Sequence, residues 1–174
     1  MSDARPSFFI KDLPKYEDIR ARSVRYPAID PAAVEACLTL LRVSTDVLNA
    51  FNVRLARHGM TTGRFAVLTI LNRDPDRGLR PSELADRAGV TRATMTGLLA
   101  ALRRDKLVVR TGDRADRRRA VVQLTPRGRQ FLDAVMPDYF DRIAALMRHL
   151  PEPDKRLLTD MLHKVSQGIA AING

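Results

Sequence analysis

Residues Ser82–Leu102 read SELADRAGVTRATMTGLLAAL. Leu84 and Ala85 give the first half an apolar side, Gly89 supplies a point where positive φ is cheap, and Val90 and Thr91 follow as an inward residue and a helix N-cap. Met95, Leu98 and Leu102 then recur at helical spacing, which predicts a second, longer helix with those three facing inward. Arg92, Thr94, Thr96 and Arg103 fall away from that stripe. The stretch is therefore a short helix, a tight turn and a longer helix whose polar N-terminal residues are left over.

That layout is shared by ordinary helical hairpins and by the helix-turn-helix, whose second helix enters the major groove of DNA. The residues downstream decide between them. Two strand-like runs, LVVR (107–110) and AVVQL (120–124), bracket a loop that carries Arg114, Arg117, Arg118 and Arg119 beside Asp113 and Asp116. A hairpin placed straight after a recognition helix is a wing, and arginine at its tip suits the negative potential of a narrow minor groove. An Asp beside these arginines can hold one guanidinium while another reaches out.

The charge distribution agrees. Residues 87–129 carry 12 basic and 3 acidic side chains, whereas residues 1–86 carry 13 and 11, and residues 130–174 carry 5 and 6. Nearly the whole net charge of +10 lies in that central segment. A solvated surface normally mixes both signs, so a one-sided concentration points to a polyanion, here double-stranded DNA.

Outward from this centre, helices flank on both sides. Asp30 as N-cap and Pro31 at the first helical position open a helix of about 27 residues, with Val34, Leu38, Leu41, Leu48 and Leu55 on one stripe up to Gly59. A stripe this long packs against another chain or a second long helix. A helix capped by Thr61 or Thr62 follows, with Phe65, Leu68 and Leu71 inward, and RDPDRG (73–78) ends it. Pro81 and Glu83 start the next helix, but Arg80 stands at the cap where Ser or Thr is usual, so only half a capping box is present. After the strands, Thr125-Pro126 opens a helix bearing Phe131, Leu132, Val135, Tyr139, Ile143, Leu146 and Leu150, with Pro137 expected to kink it. A last helix carries Leu157, Leu158, Met161, Leu162, Val165, Ile169 and Ile172. Residues 1–29 read as an N-terminal arm with at most one short helix, in PKYEDIRARSVR.

At 174 residues with 45% hydrophobic content, the chain is long enough for a packed, mainly helical fold. It has no long uncharged apolar run and no signal-like N-terminus, so neither a membrane partner nor secretion is expected, and a cytoplasmic location is. One cysteine, Cys37, forms no internal disulfide. His58, His149 and His163 are scattered without ligand spacing, so no metal and no cofactor is expected. No assembled nucleophile and base stands out, so an enzyme is not expected either.

The run DRADRRRAVVQLTPRG (113–128), the helix-turn-helix before it and the flanking helices resemble the MarR family of winged helix-turn-helix regulators over about residues 31–172. The wing signature, Asp-x-Arg, a strand and Leu-Thr, is matched by Asp116, Arg118, Leu124 and Thr125. The resemblance implies a mainly α fold with a small β wing. Residues 61–125 would be the DNA-binding domain, and residues 30–60 and 126–172 the dimerisation helices. It also implies a homodimer on a pseudo-palindromic operator, acting as a repressor released by a small effector, an aromatic anion among the candidates. The matching makes Arg118 the minor-groove residue of the wing and Asp116 the residue that holds the wing's shape. Arg114, Arg117 and Arg119 join Arg103 on phosphates, and Thr91, Arg92, Thr94 and Thr96 face the bases.

This chain departs from relatives at Gly97, where many carry a side chain such as Arg. Glycine there lowers helix stability by about 1 kcal/mol relative to Ala and leaves room for close approach to DNA. Cys37 matches the position of a reactive thiol in the hydroperoxide-sensing branch, but Leu41 and Phe51 stand where that branch has tyrosines. Packed among Val34, Leu38 and Leu41, the thiol reads as a small hydrophobe. Two rival readings stay open, a redox regulator built on Cys37 and an effector-independent architectural protein that binds backbone charge alone. The effector-binding residues are unknown from the sequence; Arg42, Arg54 and Arg64 could face an anion or simply be solvated.

Overall fold

In the computed structural model, which describes residues 11–22, 24–73, 77–112 and 120–173, Asp30 accepts hydrogen bonds from the N–H groups of Ala32 and Ala33 at 3.0 and 3.1 Å. Pro31 takes the first position of the helix that this cap opens, α2 (Pro31–Ala56). Before it, α1 (Tyr16–Arg22) is the short helix expected in the arm. The Lys15 N–H donates to Asp18 and the Tyr16 N–H to Glu35 of α2, at 3.0 and 3.2 Å, and Ile19 is buried. Of the expected α2 stripe only Leu55 is buried; Val34 and Leu38 are half-buried and Leu41 and Leu48 are exposed. The helix ends at Ala56, three residues short of the stop expected at Gly59, which stands at φ 63°, and the Arg64 N–H donates to Thr61 at 3.3 Å, which makes Thr61 the cap of α3 (Thr62–Asn72). Phe65, Leu68 and Leu71 are all buried.

The chain divides into two compact units, Met1–Val67 and Leu68–Gly174. The second contains α4 (Pro81–Ala88), α5 (Arg92–Arg104), β1 (Val108–Thr111), β2 (Val121–Leu124), α6 (Pro126–Leu146), α7 (Glu152–Gln167) and α8 (Ala170–Asn173). Between α4 and α5, Gly89 adopts φ +63° and its N–H returns to the Ala85 carbonyl, closing the tight turn. The core joins Leu68, Leu71, Leu79, Leu84, Ala85, Met95, Leu99, Leu102, Leu107, Val108, Val122, Leu124 and Leu132. Two expected positions differ. Leu99 rather than Leu98 completes the inner stripe of α5, and Val90 is half-buried, not buried. Met95, Leu99 and Leu102 centre on one line of the helix, and Leu98 stands beside it.

β1 and β2 pair antiparallel, Val108 opposite Leu124 through Thr111 opposite Val121. Leu79 joins the far edge of β2 by a single bridge, exchanging hydrogen bonds with Val122 at 2.9 and 2.8 Å. β2 is thus flanked on both sides at the base of the hairpin. Pro137 lies inside an unbroken α6, and the expected last helix is divided at Gly168 into α7 and α8.

The turn from α5 into β1 is locked to the start of α6. Lys106 stands at φ 59° without being glycine. The Thr125 hydroxyl donates to the Lys106 carbonyl at 2.7 Å, the Thr125 N–H donates to the Leu107 carbonyl at 3.1 Å, and the Gly128 N–H caps back onto Thr125 Oγ1 at 3.0 Å. A Cβ at Gly128 would lie 2.1 Å from the Leu107 carbonyl oxygen, a backbone atom that cannot swing aside. At Gly97 a Cβ would meet nothing within 4 Å among the described residues. The two in-helix replacements therefore have opposite signs. Gly128→Ala lowers stability by about 2–3 kcal/mol through overpacking, and Gly97→Ala raises it by roughly 0.5–1 kcal/mol. Denaturant melts of the two variants beside wild type measure both.

Candidate nucleic-acid interface

The exposed side of α5 is built from its cap outward. Thr91 is the N-cap, its hydroxyl accepting from the Thr94 N–H at 3.2 Å, and the two threonine hydroxyls are bonded to each other at 2.9 Å. The Thr96 hydroxyl donates to the Arg92 carbonyl at 2.9 Å, a back-bond to the preceding turn. Arg92, Thr94, Thr96 and Arg103 are all exposed, as the sequence led us to expect. Opposite the buried line of Met95, Leu99 and Leu102, however, the outermost ridge consists of Ala93, Gly97, Ala100 and Arg104, every one exposed. Ala93, Gly97 and Ala100 carry no polar group that marks the ridge in the sequence, although the recurrence at 93, 97, 100 and 104 is itself helical.

The base of the wing stands on the same unit. β1 and β2 run to Thr111 and from Val121, with the Thr111 hydroxyl donating to Gln123 Oε1 at 3.3 Å across the pair. The wing-tip residues Arg114, Asp116, Arg117, Arg118 and Arg119 lie outside the described residues. Leu124 and Thr125, the end of the signature, acquire a structural reason. Leu124 is buried, and Thr125 holds the α5–β1 turn to α6.

Around the helix-turn-helix, positive charge predominates. Arg87, Arg92, Arg103, Arg104, Lys106, Arg127 and Arg129 are exposed against an exposed Asp86, and Arg104 lies 3.6 Å from Asp105. At the start of α4 the Arg80 backbone N–H and its guanidinium both donate to Glu83, at 2.9 and 3.1 Å, and hold its carboxyl below the ordinary carboxylate range. A depressed carboxylate contributes stability above its unfolded-state pKa and loses it as the pH falls through the folded value. The helix start is therefore intact at neutral pH.

Cys37 is exposed, which corrects its reading as a buried hydrophobe among Val34, Leu38 and Leu41. Arg42 is paired with Asp46 one turn along α2, and Arg64 donates to the Gly59 carbonyl at 3.2 Å. Among the described residues no group of His, Cys, Asp and Glu is placed to hold a metal ion, and no helix is long and apolar enough to cross a membrane.

The family model described as MarR family matches residues 58–119. The HTH-type transcriptional repressor YetL of Bacillus subtilis is 35% identical over 153 residues, covering 88% of this chain and 92% of YetL. CouR from Rhodococcus jostii RHA1, solved bound to p-coumaroyl-CoA, superposes with a TM-score of 0.67 at 25% identity, over 76% of this chain and 92% of CouR. The DNA complex of MepR from Staphylococcus aureus shares the fold, with a TM-score of 0.65 at 23% identity over 73% of this chain and 91% of MepR. A helix-turn-helix with a small two-stranded wing, flanked by long helices and matched along most of its length by such a repressor, places this chain in the MarR family of transcription regulators.

Proposed function

We propose that the chain is a homodimeric repressor that binds a pseudo-palindromic operator and is released by a small effector. The observation that carries this reading is the exposed, cation-flanked side of α5 in the same unit as the paired strands β1 and β2, between which the sequence carries Arg114, Arg117, Arg118 and Arg119. Phosphate contacts by Arg103, Arg114, Arg117 and Arg119 supply affinity, and Arg92, Thr94, Thr96 and the wing residue Arg118 supply discrimination. Asp116 holds the wing in shape. The named activity of YetL supports repression over architectural binding.

Dimerisation is supported by α7, which has no buried residue. Leu157, Met161, Leu162 and Val165 are 52, 51, 41 and 53% exposed along it, and Leu41 and Leu48 lie open on α2. A run of apolar side chains this long is an interaction surface rather than a solvated one. Two reading heads related by a two-fold axis then meet half-sites about one helical turn apart. The effector class follows the ligand of CouR, an aromatic acyl thioester, and small aromatic acids are the first compounds to screen by thermal shift.

Exposure of Cys37 favours a second reading, release by oxidation of that thiol. In a reporter strain, Cys37→Ser abolishes a peroxide response if the thiol is the sensor and leaves it unchanged if it is not.

Arg118→Ala weakens operator binding by ~1–3 kcal/mol, roughly 5- to 150-fold, as measured by titration at fixed salt. Equal affinity of variant and wild type would remove Arg118 from the interface. Leu162→Asp turns the dimer into a folded monomer in analytical ultracentrifugation, because the side chain is not part of the monomer core. The same variant loses operator binding at concentrations where wild type is saturated.

A further inference from the structure

The surface that α5 offers to DNA is unusual in chemistry. Its outermost ridge, Ala93, Gly97 and Ala100, carries no side-chain polar atom, and Arg104 closes it only at the C-terminal end. The threonines beside the ridge have their hydroxyls engaged by their own helix. Thr96 gives its proton to the Arg92 carbonyl, and Thr91 and Thr94 are bonded to each other. With the Thr96 oxygen turned back on the backbone, its methyl group is the part left to meet a partner. Gly97 adds a second anomaly. It sits mid-helix at a cost to stability, and among the described residues nothing comes within 4 Å of where its Cβ would be. No contact among the described residues accounts for the glycine, and its bare face is open to an outside partner.

A small-residue ridge alone identifies no ligand; the helix-turn-helix and the family do, and the inference rests on that DNA reading. In the major groove guanine presents two acceptors, N7 and O6, which call for donors such as Arg or Lys. Thymine presents the C5-methyl, which calls for an apolar surface such as Ala or a Thr methyl. We propose that α5 selects its operator through thymine methyl groups seated against Ala93, Gly97, Ala100 and the Thr96 methyl. Arg92, at the N-terminal end, is the donor left for a guanine at one edge of each half-site, and Arg103 and Arg104 lie far enough along to meet phosphates. The absent side chain at Gly97 lets the helix axis come close enough for the methyl groups to be buried.

The test begins with selection of duplexes from a random library by the full-length protein. In the enriched sequence each half-site thymine is then replaced singly by deoxyuridine, which removes only the methyl group. Loss of about fourfold in affinity per contacted methyl is expected, with no change for deoxyuridine outside the half-sites. Gly97→Ala is expected to bind the same duplex roughly tenfold or more weakly by overpacking, while melting at a higher temperature than wild type. Half-sites without thymine, deoxyuridine tolerated at every half-site position, or wild-type affinity in Gly97→Ala would each overturn the proposal and leave DNA binding intact. Failure to enrich any sequence would remove the DNA reading and the proposal together.

Discussion

The carbonyl groups of Lys106 and Leu107 hold the reading head together. The chain leaves α5 there, must reverse into β1, and does so with a non-glycine residue at positive φ. What fixes that turn is the first turn of α6. Thr125 donates to both peptides, and Gly128 keeps clear the space the Leu107 carbonyl occupies. A backbone carbonyl has no rotamers, so this junction is settled by close approach rather than by an adjustable side chain. The α5 axis, the direction of the hairpin and the start of α6 are thereby set at one point.

That junction also gives a physical meaning to a sequence signature. Leu124 fills the core under the hairpin and Thr125 caps α6 while bonding the preceding turn, so the Leu-Thr pair serves the fold. On the proposed reading, the arginines that follow β1 in the sequence would serve the ligand, so that fold and recognition would be carried by adjacent but separate residues.

Much of this was legible in the sequence, and the exceptions have physical causes. The caps at Asp30, Thr91 and Thr125, Thr61 as one of two adjacent candidates, and the turn at Gly89 are readable because each is a local bond between residues two to four apart. The inner stripe of α5 was misassigned at Leu98 because adjacent leucines satisfy the same period, and only the tertiary neighbours choose Leu99. The exposure of Cys37 is not legible in the sequence, because an apolar stripe near 3.5-residue spacing marks one face of a helix without recording what covers it. The Leu79 bridge left no trace at all. It is one residue long and pairs with Val122, far away in sequence. The bare ridge of α5 gives no signal in the sequence, because alanine and glycine carry neither charge nor a hydrogen-bonding side chain.

The Leu79 bridge has a mechanical meaning as well. Leu79 is two residues before Pro81, so the strand that carries the wing is stitched to the peptide from which the first helix of the motif departs. Hairpin and helix pair cannot tilt independently, because any rotation of one must shear two backbone hydrogen bonds shielded in the interior. In the dimer proposed above, an effector would then have to move this unit as a solid piece, through the distance or angle between two copies, and not by bending the hairpin away from α5.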